Sequence, residues 1–148
     1  MPKGPDYDLL YLIRMLEAIG KIEHYTQNLN TPEDFFFAND QKDFNASLML
    51  LLHLSEQSIK ISDATKLKMP QIAWEQIRGF RNRTAHDYIG IDKFMIFEII
   101  KSFLPSLTSG LIILIKNGIK GGVFSKDELL ASANSLFYKH VDFKALVE

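Results

Sequence analysis

The densest cluster of chemistry-bearing side chains in this sequence is Arg81-Asn82-Arg83-Thr84-Ala85-His86-Asp87-Tyr88. RNA is cut without a metal when a base takes the proton of the 2'-hydroxyl, a cation steadies the charged phosphorane and an acid protonates the leaving oxygen. Histidine and arginine supply those parts. His86, placed near the C-terminal end of a helix, meets the negative pole of the helix dipole, which favours the imidazolium and brings its titration near neutrality. Arg81 carries a permanently charged planar guanidinium that matches two phosphate oxygens. Asn82 lies four residues before His86 and shares its helical face, whereas Arg81 lies five before it and diverges by about 140°. Three arrangements bring Arg81 and His86 to one phosphate: the arginine wraps across, the helix ends near His86, or a second copy of the chain completes the site. The last is the preferred expectation, because a symmetric homodimer pairs two such helix ends and widens a basic strip into a groove.

Other chemistries lack their parts. His24, His53, His86 and His140 form no H-E-x-x-H pair, and there is no cysteine for a disulfide or a thiolate site. No nucleophile elbow, phosphate loop or dinucleotide-binding glycine pattern occurs. The expectation is a site with no metal and no cofactor. Asp6-Tyr7-Asp8 has the D-x-D spacing of a nucleotidyltransferase metal pair, but no Gly-Ser loop precedes it, and acids are favoured in a first helical turn. It reads as N-terminal charge and capping. The formal net charge is -1, so any RNA contact must be local rather than bulk. Between Lys66 and Arg83, the basic residues Lys66, Lys68, Arg78, Arg81 and Arg83 stand against the single acid Glu75 and form that local candidate, with a solvated helix face as the plain alternative.

Helices must position these groups. Leu9, Leu12, Ile13, Leu16, Ile19 and Ile22 recur at steps of three and four, predicting an amphipathic helix over 6–29. Thr31-Pro32 reads as an N-cap and first helical residue of a short helix through Phe35, Phe36 and Phe37, aromatics expected in the core rather than in a ligand stack. Phe44, Leu48, Leu51, Leu52 and Ile59 predict a second long helix over 41–61, buried on more than one side through Met49, Leu50 and Leu54. Pro70 is expected to open a third, with Ala73, Trp74, Ile77, Phe80 and Thr84 inward, running toward a break at Gly90. A fourth spans about 92–116, bent or broken near Pro105. Ser125 and Glu128 form a capping-box pattern for a last helix to about Tyr138.

No alternating strand pattern appears, so the expected fold is all-α: an antiparallel bundle of four to five helices, dimeric, in one domain of 148 residues. Residues 121–148, set off by Gly121-Gly122, form a C-terminal helical extension. Phe103 to Ile115 is too short to span a bilayer and is interrupted by Pro105 and Gly110, so no membrane association is expected. Met1 to Asp6 lacks the pattern of a signal peptide, which suits the cytoplasm.

The stretch from Ala73 to Asp92, AWEQIRGFRNRTAHDYIGID, resembles the W-x-x-I-x-G-x-R-N-x-x-x-H-x-Y-x-G-I-D string of the HEPN superfamily in its HepT-like branch, with its R-x4-H-x-Y motif. Helix one, the Thr31 to Phe37 element and Phe97 to Pro105 are also similar, so the resemblance covers about residues 6–107. It implies a metal-independent endoribonuclease in which Arg81 and His86 are catalytic and Asn82 supports them, acting as a homodimer with the motif at the interface. It further implies a toxin paired with a minimal nucleotidyltransferase antitoxin that silences it by transferring AMP to the motif tyrosine, here Tyr88. Ser55, Gln57 and Ser58 around Glu56, with His53 nearby, depart from the small residues usual in this family and point to different dimer packing. A non-catalytic helical module, holding nucleotide or RNA as the partner subunit of a nucleotidyltransferase, fits the same fold.

Overall fold

A computed structural model describes residues 5–85 and 90–148, with side chains described for 7–82 and 90–148; every regular element among them is helical. Helix α1 spans Pro5–Thr26 and buries the whole stripe from Leu9 to Ile22 that the sequence marks. Helix α2, Pro32–Phe37, opens as expected, with the Thr31 hydroxyl accepting the Asp34 N–H at 3.1 Å. A short 3-10 turn follows, in which Asn39, Asp40 and Gln41 take φ of 51°, 56° and 64°. Three successive left-handed residues without glycine reverse the chain into α3, Lys42–Lys60.

Antiparallel packing of α1 and α3 is pinned at one end by Asp8, which is fully buried. Its carboxylate accepts the Ser62 N–H at 3.0 Å and the hydroxyls of Ser62 and Thr65, clipping the start of α1 to α4, Asp63–Leu67. Asp8 therefore serves a long-range tie rather than only the first turn of its own helix, and the Asp6 side chain lies outside the described residues. Helix α5, Trp74–Ala85, runs back along α3. Helix α6, Lys93–Glu98, passes through a π turn at Ile99–Phe103 into α7, Leu104–Lys120, which returns along α1. There the Lys101 ammonium donates to the Thr26 carbonyl at 2.9 Å. The chain closes with α8, Lys126–Ala133, and α9, Phe143–Val147.

Several sequence expectations need correction. Pro70 does not open a helix: it sits second in a turn closed by Ile72 N–H on the Met69 carbonyl at 3.1 Å, a position its fixed φ suits equally well. The helix starts at Trp74, and Ala73 is exposed. Of the expected bend or break near Pro105 the break is absent: the helix continues through the proline, with a π turn at Ile99–Phe103 just before it. The Leu104 N–H reaches back five residues to the Ile99 carbonyl, and this wider turn absorbs the missing proline donor. Residues 93–120 thus form one helical run of 28 residues, long and apolar enough by composition to cross a bilayer, whereas the shorter stretch read from sequence was not. In the fold its Ile96, Ile99, Leu104, Leu107, Leu111 and Leu114 face the bundle core. Met49 is 66% exposed, so α3 is buried on fewer sides than its composition suggests. Phe35 is fully buried, but Phe37 is 62% exposed.

The Ser125 cap forms, its hydroxyl accepting the Glu128 N–H at 3.1 Å, yet α8 stops at Ala133 instead of reaching Tyr138. Beyond it the chain crosses α1. Buried Glu17 accepts the His140 N–H at 2.7 Å and holds its Nδ1 at 2.9 Å. This approach requires glycine at position 20, where a Cβ would stand 2.5 Å from the His140 carbonyl oxygen. Gly20→Ala should therefore lift the segment, costing about 1–3 kcal/mol in urea unfolding and speeding tryptic cleavage at Lys139. An unchanged midpoint and cleavage rate would show that the segment does not need the contact.

Candidate active site

Helix α5 carries the motif, and its seating is built from three contacts. The Met69 carbonyl that closes the Pro70 turn also accepts the Trp74 indole N–H at 3.1 Å, which fixes where the helix begins. Ile77 and Phe80 are buried, with the Phe80 ring edge-on to Phe103 at 5.5 Å. On the α3 side, buried Ser55 donates its hydroxyl to the Arg78 carbonyl at 3.1 Å. With that face committed, Arg78, Arg81 and Asn82 are exposed. Spacings of three and four put Arg81 and Asn82 beside Arg78 on one outer face.

Two guanidinium groups one turn apart repel each other, and an anion laid across them relieves that repulsion. Among the described residues no ion pair joins Arg81 to Glu75 or Glu56, the acids that a purely structural role for it would use. Lys66 extends the strip by one turn, its ammonium 5.8 Å from the Trp74 ring centre. Lys68 is placed elsewhere, in a crevice with Met69, Asn117 and Phe124. The Arg83 side chain, His86 and Tyr88 lie outside the described residues. No three His, Asp or Glu side chains among the described residues converge in a way that could hold a metal ion.

A second polar constellation went unseen in the sequence because its members come from three separate segments. Arg14, Glu17 and Lys21 of α1, His53 of α3, and Phe137 and Tyr138 of the C-terminal segment line a cavity of about 300 Å³. His53 is half-buried there, and burial holds its ring below the ordinary histidine pKa. The Arg14, Lys60 and Lys21 charges push the same way, and Glu56 opposes them. Since the folded state disfavours the imidazolium, the unfolded chain binds the extra proton, so stability is full above about pH 6.5 and is lost as pH falls through that value. His53→Gln should flatten the decline of the urea midpoint between about pH 7.5 and 5.5. Identical declines in parent and variant would exclude His53 as a contributor.

Comparison with known proteins places this site in a family context. Residues 15–111 match the family model described as ribonuclease HepT-like. The "Probable ribonuclease HepT" of Thermococcus cleftensis is 32% identical over 97 residues, covering 66% of this chain and 86% of that protein. The "Putative RNase MJ1380" of Methanocaldococcus jannaschii is 27% identical over 97 residues, with the same coverage. "Putative RNase MJ1216" of the same organism is 28% identical over 117 residues, 79% of this chain and 93% of that one. No solved structure is a significant match. A helical bundle that exposes Arg78 and Arg81 on its motif helix, and is matched over residues 15–111, belongs to the ribonuclease HepT-like family.

Proposed function

We propose that the chain is a metal-independent endoribonuclease that cuts RNA through Arg81 and His86, with Asn82 in support. The observation that carries this reading is the outward face of α5, where Arg78, Arg81 and Asn82 stand free of the core immediately before His86, in a chain of a ribonuclease family. Arg81 steadies the charge that develops on the phosphorane, and His86 moves the proton between the 2'-hydroxyl and the leaving oxygen. Arg78, Arg83 and Lys66 hold flanking phosphates, with Lys68 contributing only where an RNA strand continues past α4. Two chains pair as a homodimer across this face, so that each supplies cations to one groove.

The chain acts in the cytoplasm as the toxin of a toxin–antitoxin pair, a single domain over 1–148 whose residues 121–148 extend the bundle. Its antitoxin is a minimal nucleotidyltransferase that transfers AMP to Tyr88. A nucleotide attached two residues from His86 adds bulk and negative charge where the RNA phosphate must sit, so position alone accounts for the silencing.

Expressed alone, the chain should cleave RNA in EDTA, and His86→Ala or Arg81→Ala should each lower the rate by about 100-fold or more. Cleavage that survives His86→Ala, or that requires a divalent metal, would overturn the mechanism. With a cognate nucleotidyltransferase and ATP, intact mass should show one added AMP per chain; a Tyr88→Phe chain that still gains it would refute the acceptor.

A further inference from the structure

Two exposed phenylalanines stand together at the junction of α2 and α6. Phe37 is 62% and Phe94 55% exposed. Leaving such rings in water is unfavourable unless another surface covers them in use. Between them stands Lys93, its ammonium 5.2 Å from the Phe37 ring centre, 5.5 Å from that of Phe94 and 4.9 Å from that of Phe36. Phe36 packs edge-on to Phe37 at 4.9 Å and so holds the outer ring in place from behind. Beside this group opens a cavity of about 470 Å³, lined by Phe36, Phe44, Ile91, Lys93 and Phe94. The neighbouring carboxylate of Asp92 is engaged in capping α6, accepting the N–H groups of Phe94 at 3.0 Å and Met95 at 3.2 Å.

Its place in the fold gives this surface a ligand. Ser55 fixes the level of α5 against α3 at Arg78. From there α5 runs on seven residues to Ala85, about 10 Å, while α3 runs back thirteen residues to Lys42, about 20 Å. The end of α5 and the α2–α6 junction therefore lie at the same end of the bundle, separated by about 10 Å along its axis. Exposed rings beside a cation, at the end of the bundle toward which the guanidinium strip runs, match the way proteins hold single-stranded nucleic acid: bases stack on aromatics while cations follow the backbone.

We propose that Phe37 and Phe94, with Lys93 between them, form a stacking platform for an unpaired nucleobase of the RNA substrate, at the end of the bundle where α5 ends. The proposal rests on the ribonuclease reading and deepens it, because it names the substrate class: single-stranded RNA, whose bases are free to leave the stack, rather than duplex. Stacking is tolerant of base identity, so the platform selects for strandedness and not for sequence.

The test separates binding from cutting. A fluorescent single-stranded oligonucleotide with 2'-O-methyl groups cannot be cleaved by attack of its own 2'-hydroxyl, and its anisotropy reports affinity for the full chain. Phe37→Ala together with Phe94→Ala should weaken binding on the order of tenfold or more, while Phe37→Tyr with Phe94→Tyr, which keeps both ring faces, should bind like the parent. Lys93→Gln should lower the slope of log affinity against log salt by about 0.7. A matched duplex should bind more weakly than the single strand and be indifferent to the alanine pair. If the alanine pair binds the single strand as the parent does, or if the parent does not bind it, the platform is wrong. If the platform variants lose binding while the parent cuts no RNA in EDTA, the platform stands and the nuclease reading falls.

Discussion

Ser55 is buried where α3 meets α5, and its hydroxyl donates to the backbone carbonyl of Arg78. A hydrogen bond from a helix side chain to the carbonyl of a neighbouring helix fixes both rotation and level, which apolar contacts alone leave freer. Ile77 and Phe80 then have one direction to face, and Arg78, Arg81 and Asn82 another. The outward face of the motif helix is thus set in part by a residue twenty-three positions before Arg78. The serines beside Glu56, which look in the sequence like departures from a small-residue pattern, are part of this seating: Ser58 is buried too and donates to the Ser55 carbonyl at 2.7 Å.

Elements whose signals are local were legible in the sequence. The stripe of α1, the Thr31 cap and the Ser125 cap depend on residues within a turn of each other, and each stands where it was expected. Proline was read less well because its preferences are shared between contexts. A fixed φ suits the first turn of a helix and the second position of a β-turn alike, and at Pro70 the choice is made by Met69 and Trp74, whose contacts span several residues. At Pro105 a π turn upstream makes room that no local rule anticipates. Helix α4 is short and owes its place to Asp8, more than fifty residues away.

The candidate site was legible to a different degree. Residue types and spacing within 81–88 were enough to suggest a chemistry, and of that stretch the structure describes the side chains of Arg81 and Asn82, both exposed. The same reasoning could not sort the three phenylalanines of α2, since an aromatic run looks alike whether it is core or surface; only packing against α3 and α6 divides Phe35 from Phe37. Nor could it join Tyr138 to Arg14 and His53, which it reaches because the C-terminal segment crosses α1.

That crossing has a temporal side. Glu17 and His140 are separated by 123 residues, so α1 is made long before the group that satisfies its buried carboxylate. At synthesis rates of roughly 5–20 residues per second the interval is about 6–25 s, ample for a helical bundle of mostly local contacts to assemble first. Until His140 arrives, Glu17 keeps its water, and the surface that the segment later covers is open on the nascent chain. The C-terminal segment is consequently the last layer laid down, closing one of the longest loops in the fold on a bundle already formed.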